Sequence, residues 1–113
     1  MKTQKNLVFL LSVLMLIGCS KDETKTAECD NSNLTYNSGI STIINNNCNT
    51  SGCHGAGSSN GVFTSYSGLT SVIGNGKFND RVINKQDMPQ GSSLNQTQLN
   101  QLKCWVDNNY PEK

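Results

Sequence analysis

The chain has 113 residues, room for one small domain, of which 35% are hydrophobic and 15% charged. Nine Lys and Arg against eight Asp and Glu leave it at +1, with no basic surface to hold a nucleic-acid backbone, and that partner class is excluded. So short a chain, sparse in apolar residues, buries little surface and needs a staple, a metal or a cofactor besides its core.

In chain order, Lys2 and Lys5 give a positive start, and residues 7–17 form an apolar run broken only by Ser12. The run is short for a membrane span and has the length of a signal-peptide core. It ends in Leu16-Ile17-Gly18-Cys19, which resembles the lipobox of bacterial lipoproteins. By that resemblance residues 1–18 are removed and Cys19 is lipidated; the competing reading is an uncleaved anchor or a buried helix. Loss of Lys2 and Lys5 leaves seven basic against eight acidic residues, close to −1. Residues 19–35 are expected to be a polar tether, and Ser20-Lys21-Asp22-Glu23 resembles the export tag of surface-exposed lipoproteins.

The domain is expected over residues 36–113, mostly α, with three to four short helices and long loops. A first helix is expected over about 38–47, with Ile40, Ile43, Ile44 and Cys48 at helical spacing. A Gly-rich loop follows over 52–61. A second helix over 65–73 would turn Leu69, Val72 and Ile73 inward and stop at Gly74-Asn75-Gly76. Residues 77–83 are ambiguous between helix and extended chain. Met88-Pro89-Gln90-Gly91 must be a loop or turn. The last helix is the best signalled. Asn95 and Gln98 can form a capping box, Leu94 and Leu99 a staple, and Leu99, Leu102, Trp105 and Val106 one apolar side, ended by Pro111.

The chemistry centres on Cys48-Asn49-Thr50-Ser51-Gly52-Cys53-His54. In a c-type cytochrome two Cys sulfurs form thioethers to the haem vinyl groups and the adjacent His reaches the iron. The commonest spacing puts two residues between the cysteines; here there are four, and a longer loop can bulge outward. Met88 offers a thioether sulfur as sixth ligand; Met1 and Met15 lie in the signal, and filling a core gap is its alternative role. Zinc is the rival metal, needing Cys48, Cys53, His54 and one distant Cys.

A helix leading into Cys-x4-Cys-His-Gly, a Gly-rich loop, a Met-Pro loop and a final helix with Leu-x2-Leu-x2-Trp-Val together resemble the small cytochrome c domain of bacterial exported lipoproteins. The resemblance covers about residues 36–110. It implies a cytochrome c fold around one covalent haem c, with Cys48 and Cys53 carrying the haem and His54 and Met88 as axial ligands. It places Trp105 on the last helix against the first, and lets Arg81 pair with a propionate, with Lys77 or Lys85 as substitutes and a solvated surface charge as the plain reading of Arg81. It implies an electron carrier rather than an enzyme, monomeric, exchanging electrons with redox proteins. Its place is the cell envelope, anchored to the outer membrane by the lipid, on the periplasmic face or the cell surface.

That assignment leaves Cys29 and Cys104. On a helical wheel with Leu99 at zero, Leu102, Trp105 and Val106 fall between roughly 240° and 360° and Cys104 near roughly 140°. Cys104 is therefore expected outside the haem pocket, bonded to Cys29 so that the tether is strapped over the outer face of the last helix, with two buried free thiols as the alternative. Without haem the four cysteines allow three connectivities. Two further functions stay open: a disulfide-stabilised surface lipoprotein that binds or supports without haem, and a five-coordinate haem acting as a gas sensor or peroxidase-like site.

Overall fold

The computed structural model describes Cys29 and residues 34–113. The export signal, the lipidation site Cys19 and the segment 20–23 lie outside the described residues. Among those described there are helices and no strand, and no helix is long and apolar enough to cross a membrane.

The first helical stretch is broken in two. A wide π-type turn, Tyr36–Ile40, is capped by a reciprocal Thr35–Ser38 box and leads into α1, Ser41–Asn47. The break sits at Ser38 and Gly39, where Gly39 has φ +138°, a backbone that a side chain would strain. The regular helix thus starts later than residue 38, while the helical turn before it starts earlier. The N–H groups of Tyr36 and Asn37, with no helical partner, donate to the carbonyls of Pro111 and Glu112 at 2.8 and 3.0 Å. The C-terminal segment clasps the start of the domain in this way.

Helix α2, Tyr66–Gly74, has Ser65 as its cap. Leu69 is fully buried, and Val72 and Ile73 are half-buried against the core. The ambiguous stretch 77–83 is helical: a π-helical segment, Asn79–Asn84, in which Val82 is buried. Residues 85–95 form the expected loop, with a cis Met88–Pro89 peptide. Helix α3, Gln96–Asp107, has the expected capping box, with Asn95 Oδ1 accepting from the Gln98 N–H and Gln98 Oε1 from the Asn95 N–H.

The core gathers Tyr36, Ile40, Ile43 and Ile44 from the first stretch with Leu69, Phe78, Val82, Leu102 and Trp105. Trp105, wholly buried, stands at its centre, with ring centroids 5.6 Å from Phe78, 5.1 Å from Tyr110 and 6.5 Å from Tyr36. Its Nε1–H donates to the Pro111 carbonyl at 2.9 Å, which removes the cost of burying the indole N–H. Helix α3 therefore packs on both the first stretch and the π-helical segment. Cys104 is bonded to Cys29, 75 residues earlier, with Cα atoms 5.5 Å apart. Leu34 also packs on the core, so the tether meets the domain before residue 36.

Candidate functional site

Helix α1 ends at Cys48, whose N–H bonds the Ile44 carbonyl at 2.8 Å. The chain then loops out and returns, for the His54 N–H donates to the Cys48 carbonyl at 3.0 Å. A turn inside the loop, Cys53 N–H to Thr50 C=O at 3.0 Å, orients the second cysteine. Residues 61–63 fold back beside it, with the Phe63 N–H donating to the His54 carbonyl at 2.8 Å. The Asn49 side chain ties the loop to this segment by donating to the Phe63 carbonyl at 2.9 Å.

The imidazole of His54 lies on the Phe63 ring, with centroids 3.9 Å apart and planes 11° apart. Its Nδ1 stands 3.1 Å from the Gly61 carbonyl. A carbonyl only accepts, so this contact places a proton on Nδ1, and in the neutral ring the lone pair is then on Nε2, the arrangement in which a metal-bound imidazole is held.

A cavity of about 430 Å³ opens beside this ring. Cys48, Cys53 and His54 line it together with Met88 and Arg81, so the fold brings all five expected haem-site residues to one place. Phe63, Val72, Phe78 and Val82 supply apolar wall. The size lies within the range of cofactor pockets, roughly 300–1,000 Å³, and Asn47, Asn60 and Gln90 add polar groups to the wall. No residue of α3 is among the described lining; Phe78 stands between the cavity and Trp105.

Cys48 and Cys53 are both free thiols, while Cys29 and Cys104 are bonded to each other. Burial, reinforced by nearby Cys53, pushes the Cys48 thiol up to about 11. The thiol is therefore held uncharged in this half-buried setting. The donor set therefore fits a covalent haem: two free thiols, an imidazole with Nε2 available, and a thioether in one cavity. It fits zinc poorly. Zinc would need a fourth ligand beyond Cys48, Cys53 and His54, and the distant cysteines are consumed by their bond.

Residues 31–76 contain no Asp, Glu, Lys or Arg, so the charge in the cavity wall comes only from Lys77 and Arg81. Arg81 Nε donates to Asp87 Oδ1 at 2.6 Å. This bond raises the Arg81 pKa and lowers that of Asp87. Lys85 is absent from the described wall and pairs with Asp80 at 2.7 Å. Of the three basic residues considered for a propionate, Lys77 and Arg81 line the cavity, and only Lys77 lacks an acidic partner among the described residues.

Sequence reasoning missed Phe63, the Gly61 carbonyl, Asn49 and Asp87. An aromatic just past a Gly-rich loop that contains the only His was the available signal for Phe63. No protein-family model, curated protein or solved structure matches this chain.

Proposed function

We propose that this chain is a single-haem c-type cytochrome of cytochrome c-like fold, an electron carrier held at the cell envelope by a lipid on Cys19. One observation carries the reading. Cys48, Cys53, His54 and Met88 come from two distant stretches and share one cavity, with both thiols free. Bound haem would supply a one-electron ferric/ferrous couple. The residues have separable roles in this reading. Cys48 and Cys53 attach the macrocycle, His54 and Met88 hold the iron, and the Gly61 carbonyl and Phe63 ring keep His54 in one tautomer and plane. Lys77 and Arg81 meet the propionates. With His54 and Met88 both available to hold the iron, no position would be left open for a substrate, which favours a carrier over an enzyme, with redox proteins as partners and no nucleic acid.

Haem staining of a denatured gel tests this, because thioether-linked haem survives denaturation. Full-length protein from a strain with haem-attachment machinery is expected to stain, with one haem per chain by mass. A colourless protein carrying a Cys48–Cys53 bridge refutes the reading and leaves a disulfide-stabilised lipoprotein. Incorporation of labelled fatty acid, lost in Cys19→Ala, checks the anchor, and Met88→Ala separates a six-coordinate carrier from a five-coordinate sensor or peroxidase-like site.

A further inference from the structure

The turn that delivers Met88 to the cavity is held by a single residue in two ways. The Arg81 carbonyl accepts the backbone N–H groups of Asp87 at 3.0 Å and of Met88 at 3.4 Å. The Arg81 guanidinium holds the Asp87 carboxylate at 2.6 Å. Between them the chain reverses at Gln86, a non-glycine residue with φ +53°. Asp87 itself is not among the residues that line the cavity; it reaches the wall only through Arg81. The other two ion pairs differ: Lys103–Asp107 runs along α3, and Lys85–Asp80 lies at the end of the π-helical segment. Only Arg81–Asp87 crosses from a helical segment to the residue beside Met88.

We infer that the Arg81–Asp87 pair is a positioning device for Met88, closing the turn so that the thioether stays directed into the cavity as the iron's sixth ligand. This rests on the haem reading above. A thioether is a weak ligand, so the equilibrium between its bound and displaced states depends on how firmly the loop is held. Asp87 then acts through Met88, and its loss makes the iron more accessible to an outside ligand without removing any group from the cavity.

Imidazole is the probe, because it reaches the iron only when Met88 leaves. Titrations of full-length ferric holoprotein would compare wild type with Asp87→Asn, Arg81→Gln, the double variant, Met88→Ala and Lys103→Gln, alongside the thioether–iron charge-transfer band. Asp87→Asn and Arg81→Gln are each expected to tighten imidazole binding about two- to fivefold, the range an exposed ion pair supports. Each should also weaken the charge-transfer band. The double variant should be no worse than Arg81→Gln, which also loses its propionate contact, and Lys103→Gln, which breaks an equally exposed pair on α3, should match wild type. If Asp87→Asn matches wild type while Met88→Ala tightens binding strongly, the positioning role is overturned and the haem reading stands. If Lys103→Gln shifts binding as much as Asp87→Asn, the effect is general destabilisation and the role is again overturned. If Met88→Ala leaves the band intact, Met88 is not the ligand and the inference fails with the haem retained. A wild-type protein without covalent haem removes both.

Discussion

Gly68→Ala separates local helix propensity from the packing of the site. Gly68 is the third residue of α2, where replacing Gly by Ala ordinarily stabilises by about 0.5–1 kcal/mol. Here a Cβ would lie 2.0 Å from the Val62 carbonyl oxygen and 3.2 Å from its carbon. That oxygen belongs to backbone, so it cannot swing aside as a flexible side chain would. Relief requires the start of α2 or the Val62–Phe63 segment to move by about 1 Å, and overpacking of this kind costs about 1–3 kcal/mol. The cost exceeds the helix gain, giving a net loss of about 1–2 kcal/mol and a melting point lower by about 5–10 °C for a domain of this size. Movement of Phe63 would also disturb its bond to His54 and the ring stacked on the imidazole. Thermal unfolding followed by circular dichroism measures this, with Gly74→Ala as the internal control. Gly74 ends the same helix, and a Cβ there meets nothing within 4 Å. Gly74→Ala should be neutral or stabilising. A Gly68→Ala protein that melts at or above wild type would refute the close approach of α2 to residue 62.

Other perturbations follow from the same geometry. Replacing Cys29 with Ser and Cys104 with Ala opens a loop spanning 75 residues, and the chain-entropy relation assigns such a loop about 4 kcal/mol; urea unfolding should show a loss of that order, and a loss below about 1 kcal/mol would contradict it. Gln86→Gly removes a left-handed non-glycine residue and should raise stability by about 0.5–1 kcal/mol, whereas Gln86→Val should lower it. In the haem-free chain the Cys48 thiol, raised to about 11 by burial, should be alkylated by iodoacetamide at a rate that climbs about tenfold per pH unit toward that value. The sign is fixed because raising the pKa removes thiolate at every lower pH; a plateau near pH 9 would refute it, and in haem-loaded protein neither cysteine should react.

Legibility divides along the reach of the interactions involved. The α3 cap was readable because Asn95 and Gln98 satisfy each other within one turn. The inward side of the first helical stretch was readable for the same reason, since Ile40 and Ile44 are one turn apart and both fully buried. The stretch 77–83 was not. Its π-helical segment has no side-chain cap, and its place is set by Phe78 packing against Trp105, 27 positions away in sequence. The broken start of the first helix likewise depends on carbonyls of Pro111 and Glu112. Cys104 is absent from the cavity wall, but so is the whole of α3, because Phe78 stands between; the wheel gave no hint of that, nor that Cys104 would be buried. Asp87 stood beside Met88 in plain sight, yet its pairing with Arg81 exists only once the turn at Gln86 has formed.

The four-residue gap between Cys48 and Cys53 weakens the motif as a string but not as geometry. The ends of the loop are joined by the bond from the His54 N–H to the Cys48 carbonyl, so the additional length is expelled rather than inserted between the groups that matter. Thr50, Ser51 and Gly52 are exposed accordingly, while Cys48, Cys53 and His54 are half-buried in the cavity wall. The expelled loop is braced by the Asn49 amide on the Phe63 carbonyl and by the Ser58 hydroxyl on the Cys53 carbonyl. Gly55 fits beneath it because a Cβ there would come within 3.1 Å of the Asn49 carbonyl oxygen. The wide spacing is thus a property of the exposed rim, and the identity of Asn49, Gly55, Ser58 and Phe63 is what allows a longer rim to present the same three groups. If the chain carries haem as proposed, a substitution at any of these four positions should disturb its attachment more than one at Thr50 or Ser51, although Thr50 and Ser51 lie between the two cysteines and three of the four do not.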